Sequence, residues 1–75
     1  MSQEFAIGTW VKLITQPQYL KTADPSPMLR PGNLLQVGQI GQVIDRRPGG
    51  FWSVRFEAGA FLMEDQYIEF VESPP

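Results

Sequence analysis

The chain contains neither cysteine nor histidine. Without cysteine there is no disulfide framework, no thiolate nucleophile and no thiolate metal site. Without histidine the commonest general base and the commonest metal ligand are also missing. The carboxylates are scattered, and a domain of 75 residues has little room for a deep pocket that would retune them. These absences point to a protein that is not an enzyme and that holds no metal and no cofactor. Basic charge is scarce too. Six Lys and Arg face eight Asp and Glu, for a net charge of −2. Nucleic-acid binding rests on phosphate neutralisation by a basic excess, so no nucleic-acid partner is expected. No run approaches the roughly 18 apolar residues of a membrane span, and the N-terminus lacks a basic-then-apolar leader. The expectation is a cytoplasmic, monomeric protein with no direct membrane insertion.

What is present is a globular composition, 43% hydrophobic and 19% charged, of a size for one domain over residues 1–75 with residues 1–5 and 72–75 frayed. Gly8 to Ile14, "GTWVKLI", reads as a first strand with Val11 and Leu13 on one face and Trp10 and Lys12 on the other. From Thr15 to Val37 the period dissolves among Pro17, Pro25, Pro27 and Pro31. A connection this long inside a small domain is commonly functional. Met28 and Leu29 could fold back from it, and Leu34 and Leu35 are expected to do so. Regular structure returns at "VGQIGQVIDRR", where Gly38 and Gly41 flank Ile40 as at a bend or barrel corner. "FWSVRF" is the clearest strand, followed by a turn at Gly59, a strand over "AFLM", and a helical turn with a last short strand over "EDQYIEF". The expected fold is all-β, a small five-stranded SH3-like barrel with a long Pro-rich loop after the first strand.

The turn "RRPGG" sets the register of the central hairpin. Proline fixes φ at the second turn position and glycine supplies φ > 0 at the third. A loop of two or four residues opposes Arg46 to Phe51, Asp45 to Trp52, Ile44 to Ser53 and Val43 to Val54. Opposed residues share a face. One face then gathers Val43, Trp52, Val54 and Phe56 as core. The other gathers Gln42, Ile44, Arg46, Phe51, Ser53 and Arg55 as surface.

The segments "EFAIG" (4–8), "KTADPSPMLRP" (21–31), "VGQIGQVIDRRPGGFWSVRF" (37–56) and "GAFLMEDQYIE" (59–69) resemble the SipA family of small cyanobacterial regulatory proteins. That resemblance implies an SH3-like, non-catalytic regulator in two-component signalling. Its partner would be a sensor histidine kinase of the NblS type, whose autophosphorylation it would favour in the high-light and stress response. A weaker similarity, lacking the RRPGG turn, is to a small SH3-like accessory subunit of the photosynthetic NDH-1 complex that sits near a ferredoxin-docking site. That alternative implies arginines docking an acidic electron carrier.

Candidate partner-binding residues are Arg46, Phe51 and Arg55 on the outward hairpin face, with Arg47 at its tip. Arginine and aromatic side chains are the usual anchors of interfaces. The same residues could instead solubilise a hairpin and cover a barrel end. Tyr19 and Arg30 are the contact candidates of the Pro-rich loop, which could equally be a rigid wrap that stabilises the fold. Burial is expected for two of the three aromatics Trp10, Phe61 and Tyr67. Glu64 and Asp65 suit the start of the helical turn.

Overall fold

The computed structural model describes residues 4–72. The chain is all-β: β1 (Trp10–Leu13), β2 (Tyr19–Thr22), β3 (Leu29–Pro31), β4 (Ile40–Arg47), β5 (Phe51–Phe56), β6 (Gly59–Glu64) and β7 (Ile68–Phe70). Short 3-10 turns at Gly32–Leu34 and Asp65–Tyr67 precede β4 and β7. The strands form one antiparallel sheet in the order β3-β2-β6-β5-β4-β1-β7. The five strands expected from the sequence are β1, β4, β5, β6 and β7. The count of five is corrected to seven, because the segment expected to be irregular carries the hairpin β2–β3.

That hairpin leaves no signature in the sequence because its strands span only four and three residues, too short for a period to emerge between prolines. The prolines are nevertheless well placed. Pro31 ends β3, an edge strand, where a missing N–H costs no ladder bond. The hairpin is anchored at its base by Gly32, whose N–H donates to the Gln18 carbonyl at 3.2 Å and whose carbonyl accepts from the Gln16 side chain. A Cβ on Gly32 would lie 1.9 Å from the Pro17 carbonyl oxygen, so no other residue fits there. Leu35 is fully buried as expected, whereas Leu34, Met28 and Leu29 are exposed, and Met28 and Leu29 do not fold back onto the core.

Gly41 sits where β4 leaves β1 for β5. A Cβ there would approach Val54 Cγ1 at 2.8 Å and the Arg55 carbonyl at 2.9 Å. This is the close backbone approach that glycine in a strand marks. The core gathers Val11, Leu13, Leu20, Leu35, Val43, Trp52, Val54, Phe56, Phe61, Met63 and Ile68. Of the three aromatics in question, Phe61 is buried, while Tyr67 is half-buried against the core and Trp10 is half-buried.

The central hairpin departs from the expected register at its tip. Gln42 opposes Arg55 and Val43 opposes Val54 as anticipated, but Asp45 opposes Ser53, Arg46 opposes Trp52 and Arg47 opposes Phe51. The loop therefore holds three residues, Pro48 to Gly50, and both glycines take positive φ, 82° and 80°. Ile44 is the extra residue on β4, a β-bulge between Val43 and Asp45. The bulge corrects the face assignment. Arg46 shares the inward side with Trp52, and Arg47 takes the place beside Phe51. Ser53 faces outward but is only 2% exposed, because this small side chain in a central strand lies between Asp45 and Leu62 in the cross-strand row.

Trp52 is closed off by the N-terminal segment. The Phe5 ring meets it edge-on at 5.4 Å, and the Arg46 guanidinium lies over its ring at 5.3 Å. Arg46 is in turn ion-paired with Glu4 at 2.7 Å. Glu4 and Phe5 are thus part of the folded domain and not a frayed end. Residues 1–3 and 73–75 of the expected frayed ends lie outside the described residues.

Trp52→Ala should cost about 3–5 kcal/mol in denaturant unfolding, and Phe51→Ala only about 1 kcal/mol. Gly32→Ala should cost about 2 kcal/mol or more, because rigid backbone must move. Arg46→Ala should lower stability by about 1 kcal/mol, the sum of an exposed ion pair and a cation–π contact. It should also change Trp52 fluorescence. Arg47→Ala and Arg55→Ala should stay within about 0.5 kcal/mol and leave that fluorescence unaltered. Equal effects at Arg46 and Arg47 would contradict the bulged register.

Candidate functional site: the outward sheet face and the hairpin mouth

Cross-strand pairing places each outward side chain. Asp45, Ser53, Leu62, Lys21 and Leu29 form one row across β4, β5, β6, β2 and β3. Arg47, Phe51 and Glu64 form the row toward the hairpin tip, and Trp10, Gln42, Arg55 and Ala60 the row on the other side. Tyr19, two residues from Lys21 on β2, shares its face and is 63% exposed; Leu29 is 69% exposed. The outward face thus combines apolar side chains with Lys21, Arg47 and Arg55, alongside Asp45 and Glu64.

The cations of the chain divide into two groups. Lys12 pairs with Glu69 at 3.6 Å and Arg46 with Glu4 at 2.7 Å. Lys21, Arg30, Arg47 and Arg55 have no ion pair among the described residues. Three of these four lie on the outward face. Asp45 is partly occupied, since its carboxylate accepts the Arg46 backbone N–H at 2.9 Å.

The six residues picked from sequence therefore separate. Arg47, Phe51, Arg55 and Tyr19 meet on one face. Arg46 leaves it for Trp52, as a consequence of the bulge. Arg30 opposes Leu20, a core residue, and so faces the other side of β3. There it lines an open cleft of about 290 Å³ with Thr22, Asp24, Leu34 and the 58–61 segment. Sequence reading missed Lys21, Leu29 and Leu62. The signal was the alternation in "YLKT", exposed–buried–exposed–intermediate, hidden by its brevity. Glu64 and Asp65 stand at the start of the second 3-10 turn, as expected. Among the described residues no group of three His, Cys, Asp or Glu is placed to hold a metal ion, and no helix is long and apolar enough to cross a membrane.

No solved structure matches the chain. Residues 7–68 match the family described as Protein CHLORORESPIRATORY REDUCTION 42-like. Protein CHLORORESPIRATORY REDUCTION 42, chloroplastic, from Arabidopsis thaliana is 30% identical over 67 residues, which cover 88% of this chain and 55% of the relative. The chain thus spans about half the length of that curated relative. This is a different small family from the SipA family, and the finding corrects the expectation of an NblS-type sensor histidine kinase as partner. Regulation of that kinase in high-light and stress signalling falls with it. The expected cytoplasmic location is corrected as well, since the relative is named as chloroplastic. The physical reason for the misreading is local. The segments that carried the resemblance hold Gly41, the Pro48–Gly50 turn and the core of β5 and β6, which specify a fold and not a partner. Matched over residues 7–68, the chain belongs to the CRR42-like family.

Proposed function

We propose that this protein is a non-catalytic interaction module that serves a photosynthetic NDH-1 complex as a small accessory component, docking an acidic partner such as its electron carrier. The membership of a family named for chlororespiratory reduction supports the reading. The observation that carries the docking part is the gathering of Lys21, Arg47 and Arg55, all without ion pairs among the described residues, around Phe51 and Leu62. A guanidinium beside an aromatic ring can stack and bind a carboxylate bidentately, and such residues are the usual hot spots of interfaces. Interfacial charge of this kind acts first on association rate and partner choice.

The fold that fits this role best is SH3-like. A long insertion after the first strand, a tight central hairpin and a 3-10 turn before the last strand support an SH3-like arrangement of β1, β4, β5, β6 and β7, to which the β2–β3 hairpin is added. In this reading the hairpin extends the sheet beside β6 and widens the docking face.

Affinity capture of the tagged protein from photosynthetic membranes should recover NDH-1 subunits. The double variant Arg47→Glu/Arg55→Glu should lose them while melting like the wild type, and capture should weaken steeply as salt rises. Capture of NDH-1 subunits that is indifferent to both charge reversal and salt would place the docking surface elsewhere. Recovery of no NDH-1 subunit would overturn the functional reading.

A further inference from the structure

The cleft at the mouth of the β2–β3 hairpin is separate from the outward face. It is lined by Thr22, Asp24, Arg30, Leu34 and the segment from Ala58 to Phe61. Leu20, Thr22, Arg30 and Phe61 share the inward side of the sheet by pairing, so the cleft is an open continuation of the core. Its apolar surface comes from Leu34, Phe61 and small residues. At Gly59, φ is 140°, a backbone that side chains rarely adopt, so the main chain is bare at that one position.

Opposite charges line the cleft without neutralising each other. Neither Arg30 nor Asp24 has an ion pair among the described residues. Among the described residues the Arg30 guanidinium reaches only the Met28 sulfur, at 3.9 Å, and that is a weak acceptor. Thr22 Oγ1 accepts the Met28 N–H at 2.9 Å, which leaves its hydroxyl hydrogen available to donate. At about 290 Å³ the cleft lies at the small end of ligand sites. Being open, it would leave a metabolite largely in water. An extended peptide suits it better, since only a couple of residues need enter and the rest can run on along the surface.

We propose that this cleft binds an extended acidic–aliphatic peptide segment of a protein partner. The guanidinium fork of Arg30 takes a side-chain carboxylate of the peptide in bidentate fashion. Asp24 accepts a peptide N–H, and an adjacent aliphatic side chain rests on Leu34 and Phe61. A lysine or arginine in the carboxylate's place would meet the unpaired guanidinium, so the site discriminates by repulsion as well as attraction. The inference rests on the reading of this protein as an interaction module. It does not depend on which complex the protein serves.

The test uses the full chain and an array of capped hexapeptides of randomised sequence, followed by fluorescence anisotropy on the best binders. Enrichment of Asp or Glu next to Leu, Ile, Val or Met is expected. Arg30→Gln should weaken those peptides by about tenfold or more, the loss of a charge-assisted bidentate contact, with Arg30→Lys recovering only part. Leu34→Ser, at a side chain already 44% exposed, should also weaken binding without unfolding the domain. Selection of basic or uncharged peptides, no selection at all, or acidic binders indifferent to both Arg30→Gln and Leu34→Ser would overturn the proposal. Because the array contains only the purified chain, its failure leaves the NDH-1 reading standing. Failure to recover NDH-1 subunits likewise leaves the peptide result standing.

Discussion

A hairpin loop of three residues cannot keep the facing that its strands demand unless one strand gains a residue. In this molecule the loop is Pro48 to Gly50 and the gained residue is Ile44. Below the bulge, Val43 meets Val54 and the hydrophobic alternation of β4 and β5 points into the core. Above it, every β4 side chain has exchanged faces relative to a uniform ladder, so Arg46 turns in to Trp52 and Arg47 turns out beside Phe51. A one-residue slip inverts an entire strand. The bulge confines that inversion to three residues at the tip, and the closed end over Trp52 and the outward placement of Arg47 both follow from it.

The closed end is built on Trp52. Arg46 covers its ring, Phe5 meets its edge, and Glu4 binds the guanidinium. One of six cations is spent on this closure, and a second, Lys12, is held by Glu69 between β1 and β7. The total charge of −2 therefore says little about any one surface. On the proposed reading, what bears on recognition is where the cations without an ion pair among the described residues lie. Lys21, Arg47 and Arg55 share a face because the β2–β3 hairpin adds to β6 while β4 and β5 pair on its other side. Arg30 is turned away from them by its place opposite Leu20, which gives the cleft its own charge.

Much of this was legible from residues alone. The all-β class, the β5 strand, the Pro-Gly turn with positive φ at Gly49, the helical turn before the last strand and the burial of Trp52 all follow from local patterns that tertiary structure did not override. The β2–β3 hairpin was not legible, because its strands are too short to show a period and its prolines speak for a loop. The bulge was not legible either. Nothing in "VIDRR" marks Ile44 as supernumerary, and only the loop length, invisible before folding, forces it there. Phe5 looked like a frayed end because its partner, Trp52, lies far along the chain. For the site, four of the six chosen residues do share a face. The partner was misread because the most recognisable segments hold turns and core packing, whereas the exposed side chains that would choose a partner are few and dispersed.

The account stands on the bulged register, and nuclear magnetic resonance reads it directly through ring currents and cross-strand proximity. With Arg46 over Trp52, its side-chain protons should be shifted well upfield and should show nuclear Overhauser contacts to the indole and to Phe5. Arg47 should contact Phe51 across the ladder. If Arg46 instead contacts the Phe51 ring and its protons resonate at ordinary positions, β4 and β5 run in uniform register. The division between the closed end and the outward cationic face would then not exist.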